Sequence, residues 1–321
     1  MLTGAITTLA VPTPFNVGDV NCFLIHDDPL TLVDSGPDTP AARAAIDAQL
    51  AASDLRVEDL ERIVITHQHL DHAGLAAWLQ DRSGAEVLCF DALVPLLARY
   101  REAMEEDDAF AVEVMLKHGI PQAMAAALRS ETKAAHAYGL DLGGATGLRD
   151  GDVLEFAGRS WTVHHRPGHS PSDIVFYDSD SAELIAGDHL LARISSNPII
   201  HLPLDRSRIR PRALLTYISS LKQTAEMHVS RIHGGHGAAV EDHRELISER
   251  LGAFDRRAAK IGAVLARGPM NAHEIARALW GEIAVKQGFL TLSETLGHLD
   301  VLVERGSVVE RDGDVVRFEL V

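Results

Sequence analysis

The chain has 321 residues, 46% hydrophobic and 24% charged, the proportions of an ordinary folded protein with room for one large domain and a small one. Its formal net charge of −16 disfavours a polyanionic partner such as RNA or DNA unless a local basic groove overrides the global field. Two cysteines do not make a disulfide framework, Met1-Leu2-Thr3-Gly4 shows neither the basic nor the apolar region of a signal peptide, and no run reaches the roughly 18 apolar residues of a membrane span, so a cytoplasmic protein away from membranes is expected.

In chain order, apolar runs near Ile6–Val11, Asn21–Ile25, Leu30–Val33, Arg62–Ile65 and Glu86–Cys89 read as strands. Cys22 and Cys89 fall in two of these runs and are expected as buried free thiols. Pro40–Ala52 and Gly74–Ser83, rich in alanine and leucine, read as helices. Directly behind Ile63-Val64-Ile65 stands Thr66-His67-Gln68-His69-Leu70-Asp71-His72-Ala73-Gly74, with four potential metal ligands in six residues. Packing does not ask for such a cluster, whereas imidazole and carboxylate together suit zinc, iron or manganese. From about Ala92 to Leu140 the composition turns to Ala, Leu, Met and Glu, which predicts helices near Ala92–Asp107, Ala109–His118 and Pro121–Tyr138. Such an insertion either packs on the domain or a second subunit, or caps the site with Tyr100, Met104, Phe110, Met115 and Tyr138 as apolar pocket walls.

The second half repeats the β pattern at Asp152–Phe156, Ser160–His164, Asp173–Tyr177, Ala182–Ile185 and Arg231–His233. Three of its strands lead into a glycine followed by a candidate ligand: Gly168-His169, Gly187-Asp188 and Gly235-His236. Glycine lets the backbone turn sharply and approach an ion closely. Past Asp188 come His189, Arg193, Asn197 and His201, polar candidates for substrate contact near the mouth of a site. The run Arg206, Arg208, Arg210 and Arg212 precedes a helix expected to begin at Pro211 and continue to Thr224. Arginines at a helix start oppose the macrodipole, so an anion is expected beside them. Acidic side chains of this chain are favoured over a substrate phosphate or carboxylate. In the tail, Asn271 reads as N-cap of Ala272–Trp280, Leu290–Arg305 as an amphipathic helix, and Ser307–Glu310 with Val315–Leu320 as a hairpin about Asp312-Gly313.

The ligand segments, in this order and spacing, resemble those of the metallo-β-lactamase-fold hydrolase superfamily, and Thr31-Leu32-Val33-Asp34-Ser35-Gly36 is similar to its first motif. The resemblance covers roughly residues 5–250. It implies an α/β fold, a four-layer αββα sandwich over residues 1–254 with a helical cap at about 92–140. It also implies two divalent metal ions, zinc first and iron or manganese as alternatives: one held by His67, His69 and His169, the other by Asp71, His72 and His236, with Asp188 bridging. Asp34 would orient ligands or water, and Asp71 would accept and return a proton. The helix–helix–hairpin of 255–321 resembles a winged-helix module. Glu294, Asp300 and Glu304 against Arg305 alone make its second helix unsuited to phosphate contact, so a structural role, a dimer interface or a wall of the site is expected.

A dinuclear hydrolase follows, using a metal-bridging hydroxide on an electrophilic carbonyl or phosphoryl group. An exported β-lactamase is disfavoured by Asp188 and by the absence of a visible signal. The ligand set is similar to that of the hydroxyacylglutathione-hydrolase group, lactonases, phosphodiesterases and RNA-processing nucleases. Net acidity and an apolar cap favour a small thioester, ester or lactone, and the arginine run points toward an anionic carrier such as a CoA or glutathione conjugate. The alternatives are a phosphodiesterase or endoribonuclease, and, from another class, a non-enzymatic ligand sensor. A homodimer is a further expectation, resting on the apolar insertion and the tail.

Overall fold

The structure is a computed structural model that describes residues 5–321; the Met1–Gly4 segment read for a signal lies outside the described residues. Strands β1 (Ala5–Val11), β2 (Val20–His26), β3 (Thr31–Val33), β4 (Arg62–Val64), β5 (Glu86–Phe90) and β6 (Thr146–Leu148) form one sheet in that order. The first three are antiparallel and the pairing is parallel from β3 onward. Strands β7 (Val153–Phe156), β8 (Arg159–His165), β9 (Ile174–Asp178), β10 (Glu183–Gly187) and β11 (Arg231–Gly234) form the second sheet, in the order β11-β10-β9-β8-β7, with only β10 and β11 parallel.

Period-two patterning explains why the sheets stack. Along β2, Phe23 and Ile25 join Trp161, Val163, Ile174 and Phe176 of the second sheet in one buried layer, while Cys22 and Leu24 point the other way. Trp161, Phe156 and Phe176 are among the largest fully buried side chains, each contributing about 1.5–3 kcal/mol through removal from water. Helices Pro40–Ala51 and Ala76–Ser83 cover the outer face of the first sheet through Ala42, Ile46, Leu50 and Leu79. The former starts where the sequence places it because Thr39 Oγ1 accepts from the Ala42 amide and Pro40 opens the first turn. Helices Ala213–Glu226, His243–Leu265 and Gly288–Glu304 cover the second sheet, completing the αββα order. Cys22 and Cys89 are buried and free.

Several elements differ from the sequence reading. The insertion holds a short helix, Val94–Leu97, then one long helix, Tyr100–Lys117, and a third, Gln122–Ala135. The helix runs unbroken past Asp107 because Glu105-Glu106-Asp107-Asp108 contains neither proline nor glycine; the interruption falls instead at Ala98–Arg99. Pro211 precedes its helix rather than opening it, since Arg212 is the N-cap and Ala213 the first helical residue. Strand β6 is three residues around a glycine, too short for a periodic signal. The helix His243–Leu265, capped by Asp242, carries the chain across the expected boundary at 254. Phe110, Val114 and Met115 of the insertion share a hydrophobic cluster with Phe254, Ile261, Leu296 and Leu299. The tail ends in a hairpin, β12 (Val308–Arg311) and β13 (Arg317–Leu320), behind the helix Ala272–Trp280 that Asn271 and Glu274 close with a capping box. Among the described residues no helix is long and apolar enough to cross a membrane.

Candidate metal centre

Asp34 follows β3, His67 to His72 follow β4, Asp188 follows β10 and His236 follows β11, and His169 lies in the β8–β9 connection. The parallel pairings β3/β4 and β10/β11 send these chain segments out at one end of the sandwich. Asn21 joins the two halves there: its side-chain amide donates to the Gly234 and Gly237 carbonyls and its main-chain amide to Gly235. Three ligand groups result, His67/His69/His169, His67/His72/Asp188 and Asp71/His72/His236, each with its donor atoms within 4.8 Å of one another.

The imidazoles are aimed by their outward nitrogens. His67 Nδ1 lies 3.0 Å from Thr66 Oγ1, whose proton goes to Asp34 Oδ2 at 2.9 Å. His72 Nδ1 is 2.7 Å from Asp34 Oδ2, His169 Nδ1 is 3.0 Å from the Asn197 carbonyl, and His236 Nδ1 is 2.7 Å from the Asp19 carbonyl. Each of these partners accepts, so each outward nitrogen carries the proton and Nε2 turns inward with a lone pair. His69 is reversed: Nε2 points outward to His201 Nε2 at 2.9 Å, and Nδ1 faces inward. Asp34 adopts a φ of 60°, a left-handed conformation that costs a non-glycine residue about 1–2 kcal/mol. In that conformation one carboxylate receives the Thr66 amide, the Thr66 hydroxyl and the His72 ring.

These residues fit divalent cations. His69 Nδ1 stands 3.0 Å from His67 Nε2 and 2.9 Å from His169 Nε2, three lone pairs with no proton to share among them, an arrangement that repels unless a cation sits between. His72 Nε2, His236 Nε2 and Asp188 Oδ1 are buried with no hydrogen-bond partner. Asp188 Oδ1 lies 3.4 Å from His72 Nε2, and its Oδ2 lies 3.6 Å from His236 Nε2 and 3.7 Å from His169 Nε2. Gly235 closes the cradle: a Cβ there would stand 2.4 Å from Asp188 Oδ1 and 2.6 Å from His72 Cε1. Gly187, at a φ of 48°, is likewise pressed on Thr66.

Burial, then the neighbouring imidazoles, hold His67 and His69 well below the usual imidazole range, so both stay neutral. Burial also opposes charge on His72 and His236, but carboxylates override it: Asp188 and Asp34 raise His72, and Asp71 with Asp188 raises His236. The same contacts hold Asp71 and Asp188 below the usual carboxylate range against their own burial. Beneath His67, burial pushes the Asp173 carboxyl up to about 6. It accepts from the Ser170 amide and hydroxyl, in a network that continues through Ser172 to Gln68.

The remaining candidates fare differently. His201 backs His69 through Nε2 and also lines the clefts beside it. Asn197 serves through its main-chain carbonyl. Arg193 is exposed on the loop that follows Asp188. His189 is a correction: its ring is buried behind the site, with Nε2 2.8 Å from Thr224 Oγ1, and is shielded by Tyr217. The arginine run is occupied internally: Arg206 pairs with Glu106, Arg208 with Glu113, Arg210 with Asp300 through two 2.7 Å bonds, and Arg212 with Glu304 at 3.4 Å. It therefore offers no support for an anionic carrier. Of the proposed cap residues, Tyr100 and Met104 line a small pocket beside Gln68 and His201. Met115 lines a cleft of about 360 Å³. Phe110 is core, and Tyr138 packs edge-on against Phe15. Sequence reasoning missed Asp19 and Thr66 as ligand supports, since a main-chain carbonyl has no side-chain signature and a single hydroxyl beside a run of ligands draws no notice.

Comparison with known proteins agrees with this geometry. The sequence pattern of the Metallo-beta-lactamase superfamily matches residues 15–248. Probable metallo-hydrolase YqjP of Bacillus subtilis (strain 168) is 33% identical over 99% of each chain. A metallo-beta-lactamase family protein of Thermus thermophilus superposes with a TM-score of 0.85 at 28% identity over 100% of both chains. A beta-lactamase domain protein from Burkholderia ambifaria shares the fold, with a TM-score of 0.82 at 24% identity over 99% of this chain and 95% of its own. The strand ends, the inward-facing imidazoles and these relatives lead to one conclusion: the chain belongs to the metallo-beta-lactamase superfamily and is a metallo-hydrolase.

Proposed function

We propose that this metallo-hydrolase cleaves a small thioester, ester or lactone at a pair of divalent cations, zinc first, in the manner of the hydroxyacylglutathione-hydrolase-like group. His67, His69 and His169 would hold one cation, Asp71, His72 and His236 the other, and Asp188, whose Oδ2 lies between His169 and His236 while its Oδ1 faces His72, would be shared by the two. Bound there, the metals supply Lewis acidity toward the substrate carbonyl and a lowered pKa for water. Asp71, with Oδ2 turned to His236 Nε2 at 3.4 Å, keeps its other oxygen to take a proton from the attacking water and return it to the departing alcohol or thiol. Its neighbours keep that carboxyl ionised. Asp34 holds His72 and, through Thr66, His67. Water adds to the acyl carbon, the C–O or C–S bond breaks, and acid and alcohol or thiol leave.

The observation that carries the acyl reading is the cleft beside His201, lined by Ala111, Met115, Leu128, Ile199, Phe289 and Leu290 between the insertion and the tail. A phosphodiester gains little here: the four arginines of the run are already paired to carboxylates, and the two cations that line the cleft, Arg129 and Lys286, are offset by Asp107, Asp108 and Glu131. The tail, residues 255–321 beyond a catalytic domain of 1–254, is read as a winged-helix-like module with a structural role. Its long helix is buried from Thr295 through Leu302 and has no face left for a nucleic-acid groove. A cytoplasmic setting is part of the same reading. The test is a panel of aryl esters, acyl thioesters, lactones, bis(p-nitrophenyl) phosphate and RNA with zinc-loaded protein. Hydrolysis of an ester, thioester or lactone, abolished by chelation and by Asp71→Asn, is expected. Cleavage of the phosphodiesters alone would overturn the assignment, and inertness to the whole panel would favour a sensor.

A further inference from the structure

His69 faces inward through Nδ1 where the other imidazoles use Nε2, so something must keep its proton on Nε2. His69 Nε2 meets His201 Nε2 at 2.9 Å, and His201 Nδ1 meets Asp107 Oδ2 at 3.0 Å. The second oxygen of Asp107 accepts the Leu202 amide at 2.6 Å, which fixes the carboxylate relative to the His201 backbone. The proton count along this chain has one solution with the His69 Nδ1 lone pair turned inward. A carboxylate only accepts, so His201 carries its proton on Nδ1; its Nε2 is then an acceptor, which takes the His69 Nε2 proton. Asp107 belongs to the insertion helix Tyr100–Lys117, whereas His201 lies on the loop after Asp188 and His69 after β4. The relay therefore brings together three separate parts of the chain.

We propose that Asp107 is a positioning residue of the metal centre: from the insertion it sets the tautomer of His201, and through it the orientation and tautomer of His69. The insertion thus acts on the ligand set itself as well as covering the domain. The inference rests on the metal-site reading but not on the substrate class. In Asp107→Leu the acceptor is gone, His201 can carry its proton on either nitrogen, and His69 loses its fixed partner. Loss of an outer support of this kind weakens metal affinity about 10–100-fold.

Zinc affinity is measured by competition with a chromophoric chelator on wild-type, Asp107→Leu, Asp107→Asn and His201→Gln proteins. The His69 tautomer is read from imidazole nitrogen shifts in the zinc-loaded forms. Asp107→Leu is expected to lose zinc affinity by that factor and to show a mixture of His69 tautomers. Asp107→Asn, whose one carbonyl still accepts from His201 Nδ1 while its amide faces the Leu202 N–H, is expected to keep the native His69 tautomer and to recover part of the affinity. A merely structural contact would move neither the tautomer nor the difference between Leu and Asn. Should Asp107→Leu fail to fold, His201→Gln answers the same question, since its amide oxygen accepts from His69 and is expected to keep His69 in its native tautomer. Native zinc affinity and an unchanged His69 tautomer in a folded Asp107→Leu protein overturn the proposal. If that variant does not fold, a changed His69 tautomer in His201→Gln does so. Wild-type protein that takes up no zinc removes the site itself, whatever the substrate panel shows.

Discussion

Substituting Gly235 by alanine puts the smallest added group where the ligands are tightest. Its Cβ would stand 2.4 Å from Asp188 Oδ1 and 2.6 Å from His72 Cε1, with the Gly187 backbone at 3.2 Å behind, and real Cβ atoms essentially never approach closer than 3.0 Å. Relief therefore displaces the Asp188 carboxylate by about 0.6 Å, the step from 2.4 to 3.0 Å, against a tolerance of about 0.2 Å for ligand distances in a working site. The expected result is metal affinity lower by about 10–100-fold, or ~1.4–2.8 kcal/mol, from disturbance of a ligand and its support. Overpacking adds a cost of about 1–3 kcal/mol to the fold itself. The two effects separate experimentally: chelator competition reads the first, and urea unfolding of metal-free protein reads the second. A variant that takes up metal with wild-type affinity would show that Gly235 does not bound the site and that Asp188 is not held where these distances place it.

Three further outcomes follow from named contacts. Asp34→Ala removes the acceptor of His72 and Thr66 and is expected to weaken metal binding about 10–100-fold by the same competition assay; unchanged binding would count against its supporting role. Asp300→Ala strands Arg210, whose side chain is 16% exposed and among the described residues otherwise pairs with Glu310 at 4.0 Å, at a cost of about 3–5 kcal/mol in urea unfolding, whereas Arg210→Met with Asp300→Leu should recover most of it. A single substitution costing under about 1 kcal/mol would show the pair to be solvated. Carboxylates raise His72 and His236, which carries their protonated forms to higher pH in metal-free protein. Zinc must displace those protons, so affinity rises with pH and titrations in buffers of different ionisation enthalpy report net proton release. No release would mean that both rings are already neutral.

Much of the site was legible because its residues sit at strand ends, where periodicity and glycine mark a boundary. The seven candidates fall into three overlapping groups, each with its donor atoms within 4.8 Å of one another. Asp34 was also legible, since its strand and its Ser35-Gly36 neighbours form a recognisable ending. What was hidden depends on pairings between distant segments. Asp107 sits among acidic neighbours on a helix, and nothing local tells which of them faces inward. His189 adjoins Asp188 and looked functional, but the turn after β10 rotates it into the core beside Thr224. The arginine run showed its need for anions and its internal partners could be favoured, yet which carboxylates answer depends on how insertion and tail fold over it. Helix His243–Leu265 went unread although Asp242 with Glu245 three residues on is an N-cap signature, because its apolar positions are diluted by charge.

Part of the wall beyond His201 comes from two stretches more than a hundred residues apart: Leu128 and Arg129 on one side, Lys286 to Leu290 on the other. Their seam is tight. Gly288 lies where a Cβ would strike Leu128 and Met124 at 2.7 Å, and Gly119 is pressed in the same way on Asn271. A side chain at either glycine therefore needs its neighbours across the seam, Leu128 and Met124 or Asn271, to move aside. Drift in one must be matched by drift in its counterpart, so homologues that differ in what fits this recess should differ at both places at once.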